Sequence, residues 1–159
     1  QDTAIPSARK GTSALMATFS RDIQVHFSDT DPAGIIFYPR YFEMTSGLIE
    51  DWFADALDHP FNAMHQGMEH GVPTISLDIS FSAASRIADM LRLTLAVERL
   101  GKSSFTLDIT ATCGDETRFK MRQVLVYAAL GGKVKPEPLP SELRARMEPF
   151  LITESAKDS

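Results

Sequence analysis

The chain has 159 residues, of which 43% are hydrophobic and 23% charged, and its formal net charge at pH 7 is -5. That length fits one domain with one hydrophobic core, and the composition is that of a globular protein rather than a disordered one. An acidic chain lacks the basic field that a general nucleic-acid surface needs. The single cysteine, Cys113, excludes an internal disulfide and a thiolate metal cluster, so we expect it to be a small buried hydrophobe.

The ends of the sequence predict tails, and nothing in it predicts a membrane segment. The apolar runs are too short to cross a bilayer, and the first residues lack the basic and apolar regions of a signal peptide. We therefore expect a cytoplasmic protein without membrane or nucleic-acid partners. Residues 1–17 are small, polar and aperiodic, which predicts a mobile tail, and residues 151–159 predict a C-terminal tail. The predicted domain occupies residues 18–150.

The first half of this domain predicts one strand followed by one long helix. Apolar and polar residues alternate in residues 19–27, which is typical of a half-buried strand. From residue 40 to residue 57, apolar side chains cover more than half of a helical wheel. We expect other structure to wrap such a helix over most of its girth. Residues 58–73 predict a connector that holds a short helix around residues 63–69.

The second half predicts an antiparallel sheet. Apolar and polar residues alternate in four runs, at residues 75–81, 91–97, 105–111 and 118–130. Each run predicts a strand with one dry face, and residues 101–103 and 114–116 predict short hairpins. The last run changes phase at Gln123, which predicts a bulge there, and residues 141–147 predict a short helix. The result is an α+β fold, a meander sheet on one helix, whose uncovered edges and apolar surface indicate pairing between subunits.

Residues 27–42 (FSDTDPAGIIFYPRYF) are the candidate site, because a strand ends there and the long helix begins. They combine two carboxylates, Asp29 and Asp31, with a turn at Gly34 that brings backbone close to a ligand, and with the N–H groups that open the helix. A carboxylate beside oriented N–H donors suits attack on a carbonyl whose oxygen becomes negative. The alternative is that both aspartates only cap a turn. Glu43 and Glu50, on the polar strip of the helix, are the rival catalytic carboxylates.

The chain lacks the motifs of several other enzyme classes. It has no Gly-rich phosphate loop, no dinucleotide fingerprint, no Gly-x-Ser-x-Gly elbow and no His-Glu-x-x-His. His59, His65 and His70 have spacings that fit no standard metal site. His26 on the first strand is expected to be a surface or core imidazole, the alternative being a proton carrier. We therefore predict no metal and no cofactor. An Asp-x-Asp sugar transferase is excluded, because the chain is too short for the nucleotide-binding sheet.

The stretch from residue 27 to residue 42 resembles the signature of the hot-dog-fold acyl-CoA thioesterases, specifically the 4-hydroxybenzoyl-CoA thioesterase type. Residues 73–76, 80–81 and 102–105 are similar to later segments of that family, so the resemblance covers roughly residues 20–130. It implies a hot-dog fold, with a long central helix wrapped by an antiparallel sheet of five or six strands. It also implies a homo-oligomer, a dimer or a homotetramer, with active sites at the subunit interfaces.

The resemblance assigns catalytic roles within this stretch. Asp31 matches the catalytic carboxylate, and the backbone N–H of Tyr38 matches the group that polarises the thioester carbonyl. Asp29 matches a position that is usually acidic but does not react. Another branch of the family carries a catalytic Glu on the central helix, and the presence of Asp31 favours the first branch. Asp31 either attacks the carbonyl, giving an acyl-aspartyl anhydride, or deprotonates a water, and the sequence leaves both mechanisms open.

Substrate contacts are predicted at four places. Gly34 and Phe37 are expected beside the reacting group, and Phe37, Tyr38, Tyr41 and Trp52 either line an aromatic pocket or belong to the core. The resemblance implies contacts at the hairpin residues Lys102, Ser103 and Ser104. On the last strand, Arg118, Lys120 and Arg122 lie two residues apart and are expected to share one face. That face either binds the coenzyme A phosphates or is simply solvated.

The predicted function is hydrolysis of a small or aromatic acyl-CoA. Coenzyme A enters only as part of the substrate, and its thiol, with a pKa near ~8.5, leaves as a thiolate with little help from an acid. The alternatives are an acyl carrier protein thioesterase and a non-catalytic acyl-CoA-binding subunit.

Overall fold

A five-stranded antiparallel sheet and one long helix make up most of the molecule. The computed structural model describes residues 16–65 and 69–152. The strands are β1 (Phe19–Gln24), β2 (His70–Gly71), β3 (Thr74–Phe81), β4 (Met90–Leu100), β5 (Ser104–Cys113), β6 (Glu116–Val126), β7 (Ala128–Ala129) and β8 (Lys135–Pro136). The helices are α1 (Pro39–Asp51), α2 (Phe61–His65) and α3 (Ser141–Met147), with a π-helical turn at Trp52–Ala56 and 3-10 turns at Phe27–Asp29 and Glu148–Phe150.

The five long strands pair in the order β1-β4-β5-β6-β3, and β2, β7 and β8 form a small second sheet. This confirms the predicted α+β architecture of one strand, one long helix and four further antiparallel strands. The predicted meander of all four is wrong, because β3 pairs with β6 and not with β4, so only β4, β5 and β6 form a meander. The dry faces predicted for β4 and β5 are confirmed too. Their buried apolar side chains include Leu91, Leu93, Leu95, Val97, Phe105, Leu107, Ile109 and Ala111.

Aromatic side chains join α1 and its π-helical turn to this dry face. The ring of Tyr41 lies 4.8 Å from that of Phe119 on β6, and the ring of Trp52 lies 6.5 Å from that of Phe105 on β5. Trp52 is completely buried, which places it in the core rather than in a pocket. Helix α1 ends at Asp51, and the π-helical turn continues it to Ala56, one residue before the predicted end.

The strand β3 departs from the predicted pattern. Its apolar residues Ile75, Leu77 and Phe81 are 62%, 39% and 49% exposed, so the dry face predicted for this strand is wrong within one chain. The reason is topological, because β3 is the edge of the sheet and pairs only with β6 in the described part of the chain. Exposed backbone and exposed apolar side chains thus occur together on one strand.

The bulge predicted at Gln123 is also wrong. Gln123 pairs with Leu107 in an unbroken register, and its buried side chain donates a hydrogen bond of 2.8 Å to the hydroxyl of Thr74. The alternation of inward and outward side chains therefore continues through β6, and Gln123 is a polar residue that faces inward. The register of β6 shifts instead at Arg118, which is the extra residue opposite β5.

The boundaries of the other elements differ by a few residues. The first strand ends at Gln24, three residues earlier than predicted, and the short helix of the connector is α2. Residues 66–68 of that predicted helix, and residues 1–15 and 153–159 of the predicted tails, lie outside the described residues. Ala17 and Ile152 are hydrogen-bonded to the domain, at 2.8 Å each. No helix in residues 16–65 or 69–152 is long and apolar enough to cross a membrane.

Candidate active site

The chain doubles back between Asp29 and Phe37 in a narrow turn. The carbonyl of Asp31 accepts a hydrogen bond from the N–H of Gly34 at 2.8 Å, and the N–H of Asp31 donates to the carbonyl of Ile35 at 2.9 Å. Gly34 has φ +82°, a left-handed conformation that glycine adopts without strain. The N–H of Phe37 donates to the carbonyl of Asp29 at 2.9 Å, which closes the turn. We call residues 29–37 the aspartate turn.

The carboxylate of Asp31 is held by one oxygen only. Its Oδ1 accepts the N–H of Ala33 at 2.9 Å and approaches the N–H of Ile35 at 3.5 Å. Its Oδ2 has no hydrogen-bond partner in residues 16–65 and 69–152 and is available to a reacting group. The carboxylate opens into a cleft of about 460 Å³, lined also by Phe27, Ser28, Thr30, Pro32, Gly34 and Ile87.

The other candidate carboxylates have structural partners. Asp29 accepts the N–H of His26 at 2.9 Å and so caps the 3-10 turn, which agrees with its predicted supporting role. Glu43 lies 3.1 Å from the guanidinium of Arg40 and is 67% exposed. Glu43 and Glu50 line neither the Asp31 cleft nor the aromatic cleft described below.

A free donor stands at the start of α1. Tyr38 caps the helix and Pro39 occupies the first helical position, where its missing N–H costs nothing. The backbone N–H of Tyr38 has no acceptor among the described residues, whereas the N–H groups of Phe37, Arg40 and Tyr41 are each bonded to a nearby carbonyl. A free N–H at the positive end of a helix is suited to hold an oxyanion.

Beside this donor lies an aromatic cleft of about 350 Å³. Its walls are Ile35, Ile36, Tyr38, Tyr41, Phe81, Ser82, Ala83, Ala84 and Ser85. The ring of Phe81 lies 6.2 Å from that of Tyr38 and 5.8 Å from that of Tyr41, so three aromatic rings meet there. The aromatic pocket predicted from the sequence thus contains Tyr38 and Tyr41. Phe37 is exposed beside it, at 5.9 Å from the Tyr38 ring. Phe81, which the alternation of the third strand predicted to lie in the core, is a wall of this pocket instead.

The Asp31 carboxylate and Tyr38 face adjacent clefts of the same chain. Gly34 lines the first cleft, and Ile35 and Ile36 line the second, so the returning arm of the aspartate turn belongs to both. The structure therefore brings Asp31, Gly34 and Tyr38 into one region at the start of α1.

Arg118 is not where the sequence predicted it. The extra residue in β6 at this position turns the side chain inward, where it is only 10% exposed. Its Nη1 donates to Asp89 at 2.8 Å, while its Nε lies 2.8 Å from Glu116 outside hydrogen-bond geometry. The hydrogen bond from Arg118 holds the pKa of Asp89 below its ordinary value. The prediction that Arg118, Lys120 and Arg122 share one face is wrong for Arg118.

Lys120 and Arg122 remain exposed, on the outer face of the sheet. They border a shallow depression that also contains three carboxylates, Asp78, Glu98 and Asp108. Arg122 lies 2.8 Å from Glu98, and burial together with the charge of Glu98 raises the pKa of Asp108. More anions than cations meet there, which does not favour phosphate, so the predicted contacts at Lys120 and Arg122 stay predictions.

Lys102, Ser103 and Ser104 lie at the opposite end of the sheet from the aspartate turn. Strand β4 runs for 11 residues between the two ends, which corresponds to about 33 Å. The carbonyls of Lys102 and Ser103 accept the N–H groups of Leu139 and Tyr127, at 2.9 and 2.8 Å. Within one chain this hairpin does not approach Asp31.

No group of three or more His, Cys, Asp or Glu side chains in residues 16–65 and 69–152 is arranged to hold a metal ion. The arrangement at the start of α1 can instead hold a carbonyl compound, with a carboxylate near it and a donor for its oxygen. The long helix on a five-stranded antiparallel sheet is the hot-dog fold, and the protein that fold and site define is a thioester hydrolase. The chain belongs to the thioesterase superfamily, whose sequence model matches residues 34–120. Asp31 lies just outside the matched region.

Three of the proteins similar to this chain are named for aromatic acyl-CoA substrates. It is 23% identical over 126 residues to 1,4-dihydroxy-2-naphthoyl-CoA hydrolase of Synechocystis sp., which covers 79% of this chain and 91% of the relative. The structure of a gentisyl-coenzyme A thioesterase is 24% identical, with a TM-score of 0.72 over 80% of this chain and 98% of that one. That of 4-hydroxybenzoyl-CoA thioesterase from Pseudomonas sp. is 20% identical, with a TM-score of 0.75 over 81% and 98%.

Proposed function

We propose that this protein is an acyl-CoA thioesterase that hydrolyses an aromatic acyl-CoA to the free acid and coenzyme A. The observation that carries the proposal is the aromatic cleft of Tyr38, Tyr41 and Phe81 beside the free N–H of Tyr38. Aromatic rings pack well against one another at such distances, so a flat aryl group suits these walls. The three relatives named above act on naphthoyl, gentisyl and hydroxybenzoyl thioesters, which supports the same substrate class.

In the proposed reaction, Asp31 supplies the carboxylate and Tyr38 the oxyanion donor. The free Oδ2 of Asp31 either attacks the thioester carbon or takes a proton from the water that attacks it, and both routes remain in the proposal. The carbonyl oxygen becomes negative as the new bond forms, and the N–H of Tyr38 donates to it with the support of the helix dipole. Coenzyme A departs as a thiolate, and water supplies the oxygen of the free acid.

A second copy of the chain is part of this proposal. Strand β3 exposes both its unpaired edge and the side chains of Ile75, Leu77 and Phe81. Antiparallel pairing of two β3 edges would bury these side chains and extend the sheet from five strands to ten. It would also bring the start of one β3 beside the end of the other. The 102–104 hairpin of one copy would then approach the aspartate turn of its partner. The predicted tetrameric state and cytoplasmic location stay predictions.

The direct test is thiol release from a panel of aromatic and aliphatic acyl-CoA and acyl carrier protein thioesters. We expect the parent to prefer aromatic acyl-CoA, and Asp31→Asn to lower kcat by at least ~10²-fold, the range typical of a positioned base. Glu43→Gln is the matched control, because it neutralises an exposed carboxylate on α1 without changing its shape. Near-parent hydrolysis by Asp31→Asn would refute the assignment of Asp31 as the reacting carboxylate. Loss of activity in Glu43→Gln would indicate that the reacting carboxylate lies on α1.

A preference for acyl carrier protein thioesters would replace the proposed substrate. Binding of acyl-CoA with no thiol release from any thioester would favour the non-catalytic subunit instead.

A further inference from the structure

A buried set of polar side chains lies behind the aromatic cleft. The hydroxyl of Tyr41 donates a hydrogen bond of 2.8 Å to Ser85 Oγ, and Nη1 of Arg118 donates to the same oxygen at 3.1 Å. Tyr41 is 4% exposed and Ser85 is 1% exposed. Buried polar groups of this kind are costly unless they are paired, and here the Tyr41 hydroxyl and Nη1 of Arg118 share Ser85 Oγ as acceptor.

Ser85 connects two parts of the site. Its side chain binds Tyr41 on α1, and its backbone carbonyl accepts the N–H of Ile36 at 2.9 Å. Ile36 belongs to the returning arm of the aspartate turn. Tyr41 lies in the first turn of α1, where its own N–H binds the carbonyl of Tyr38 at 3.0 Å. One residue therefore joins the helix that carries the oxyanion donor to the turn that carries Asp31.

Arg118 fixes the segment to which Ser85 belongs. Its Nη1 donates to the carbonyl of Ala84 at 2.9 Å and to Asp89 at 2.8 Å. Asp89 in turn accepts the N–H of Arg86 at 2.9 Å. The residues on both sides of Ser85 are thus tied to one guanidinium, which leaves Ser85 little freedom to move.

We propose that Tyr41 is a positioning residue, whose hydroxyl holds the first turn of α1 in a fixed relation to the aspartate turn through Ser85. This inference rests on the proposed function. The Tyr41 hydroxyl is bonded to Ser85 and is proposed to act on the site through Tyr38 and Ile36. Reacting groups misplaced by about 1 Å lose rate steeply, whereas the apolar walls that bind substrate are unaffected by the loss of one buried hydroxyl.

The test is Tyr41→Phe, which keeps the ring in the cleft wall and removes only the hydroxyl. We expect kcat for the best aromatic acyl-CoA to fall by about 10-fold or more, with KM nearly unchanged. The matched control is Thr45→Val on the same helix. Its buried hydroxyl donates at 3.2 Å only to the carbonyl of Phe42, within α1 itself. Thr45→Val should lower Tm to a similar degree and leave kcat unchanged.

A double-mutant cycle separates positioning from general loosening of the fold. If Tyr41 acts through Ser85, then Ser85→Ala lowers kcat, and adding Tyr41→Phe lowers it no further. Additive losses, or equal losses of kcat in Thr45→Val, would overturn the positioning role. An inactive parent would overturn the proposed function and this role with it, whereas an active parent with an unchanged Tyr41→Phe variant would overturn this role alone.

Discussion

Replacing Arg118 with methionine tests whether this residue belongs to the buried network or to a phosphate site. The guanidinium makes hydrogen bonds to Ala84, Ser85 and Asp89, and the side chain is 10% exposed. Hydrogen bonds to charged groups contribute about 1.5–3 kcal/mol, and the methionine removes the donor to the Ala84 carbonyl and the charged donor to Asp89, which keeps the N–H of Arg86. Asp89 is 28% exposed, so water replaces part of the loss. We expect the free energy of unfolding to fall by about 3 kcal/mol.

For a domain of 159 residues, that loss corresponds to a decrease in Tm of roughly 6–12 °C. Lys120→Met is the matched control for stability, because Lys120 is exposed on the outer face, and its Tm should change by only about 1–2 °C. Hydrolysis rates should be measured with the best acyl-CoA and with a truncated pantetheine thioester that lacks the nucleotide phosphates. A network residue affects both substrates alike. An unchanged Tm with a raised KM for acyl-CoA alone would refute this reasoning and restore Arg118 as a phosphate ligand.

Two further predictions concern stability at low pH and assembly. The pKa of Asp89 is lowered by its hydrogen bond with Arg118 and by the N–H of Arg86, so its contribution to stability is present above about pH 4 and is lost as the pH falls further. Asp89→Asn should therefore flatten the dependence of the urea midpoint on pH between about pH 5 and pH 3; a parallel curve would contradict this. Leu77→Lys, at the exposed edge of the sheet, should convert the proposed oligomer to monomers in light scattering, and an unchanged mass would place the interface elsewhere.

The sequence predicted best what depends on neighbouring residues along the chain. The alternation in β4 and β5 is continuous, and both dry faces follow from it. Asp29 was separated from Asp31 by the family resemblance and not by the local pattern, which left both as possible caps of a turn; Asp29 does cap the 3-10 turn. The position of Arg118 could not be predicted in this way, because the extra residue in β6 appears only when β6 pairs with β5. Alternation with a period of two therefore assigns Arg118 and Lys120 to the same face, although Arg118 is buried and Lys120 is exposed.

The environments of Gln123 and Phe81 also could not be predicted from the local pattern of the sequence. Gln123, a polar residue in an alternating run, was interpreted as a change of phase, although its side-chain amide faces inward and donates a hydrogen bond to Thr74 of the neighbouring strand. Phe81 was interpreted as core, because hydrophobicity does not distinguish a strand in the middle of a sheet from one at its edge. Both errors concern β3, whose place in the sheet is a property of the whole fold.

The position of β3 links assembly to the candidate site. Phe81 ends this edge strand and forms a wall of the aromatic cleft, while Leu77 lies on the same strand face and is exposed. If two copies pair through β3, the strand that closes the interface also supports the wall that receives the aryl group. Loss of pairing at Leu77 should then weaken substrate binding without contact between Leu77 and substrate. A Leu77→Lys monomer with an unchanged KM would show that each chain forms its cleft alone.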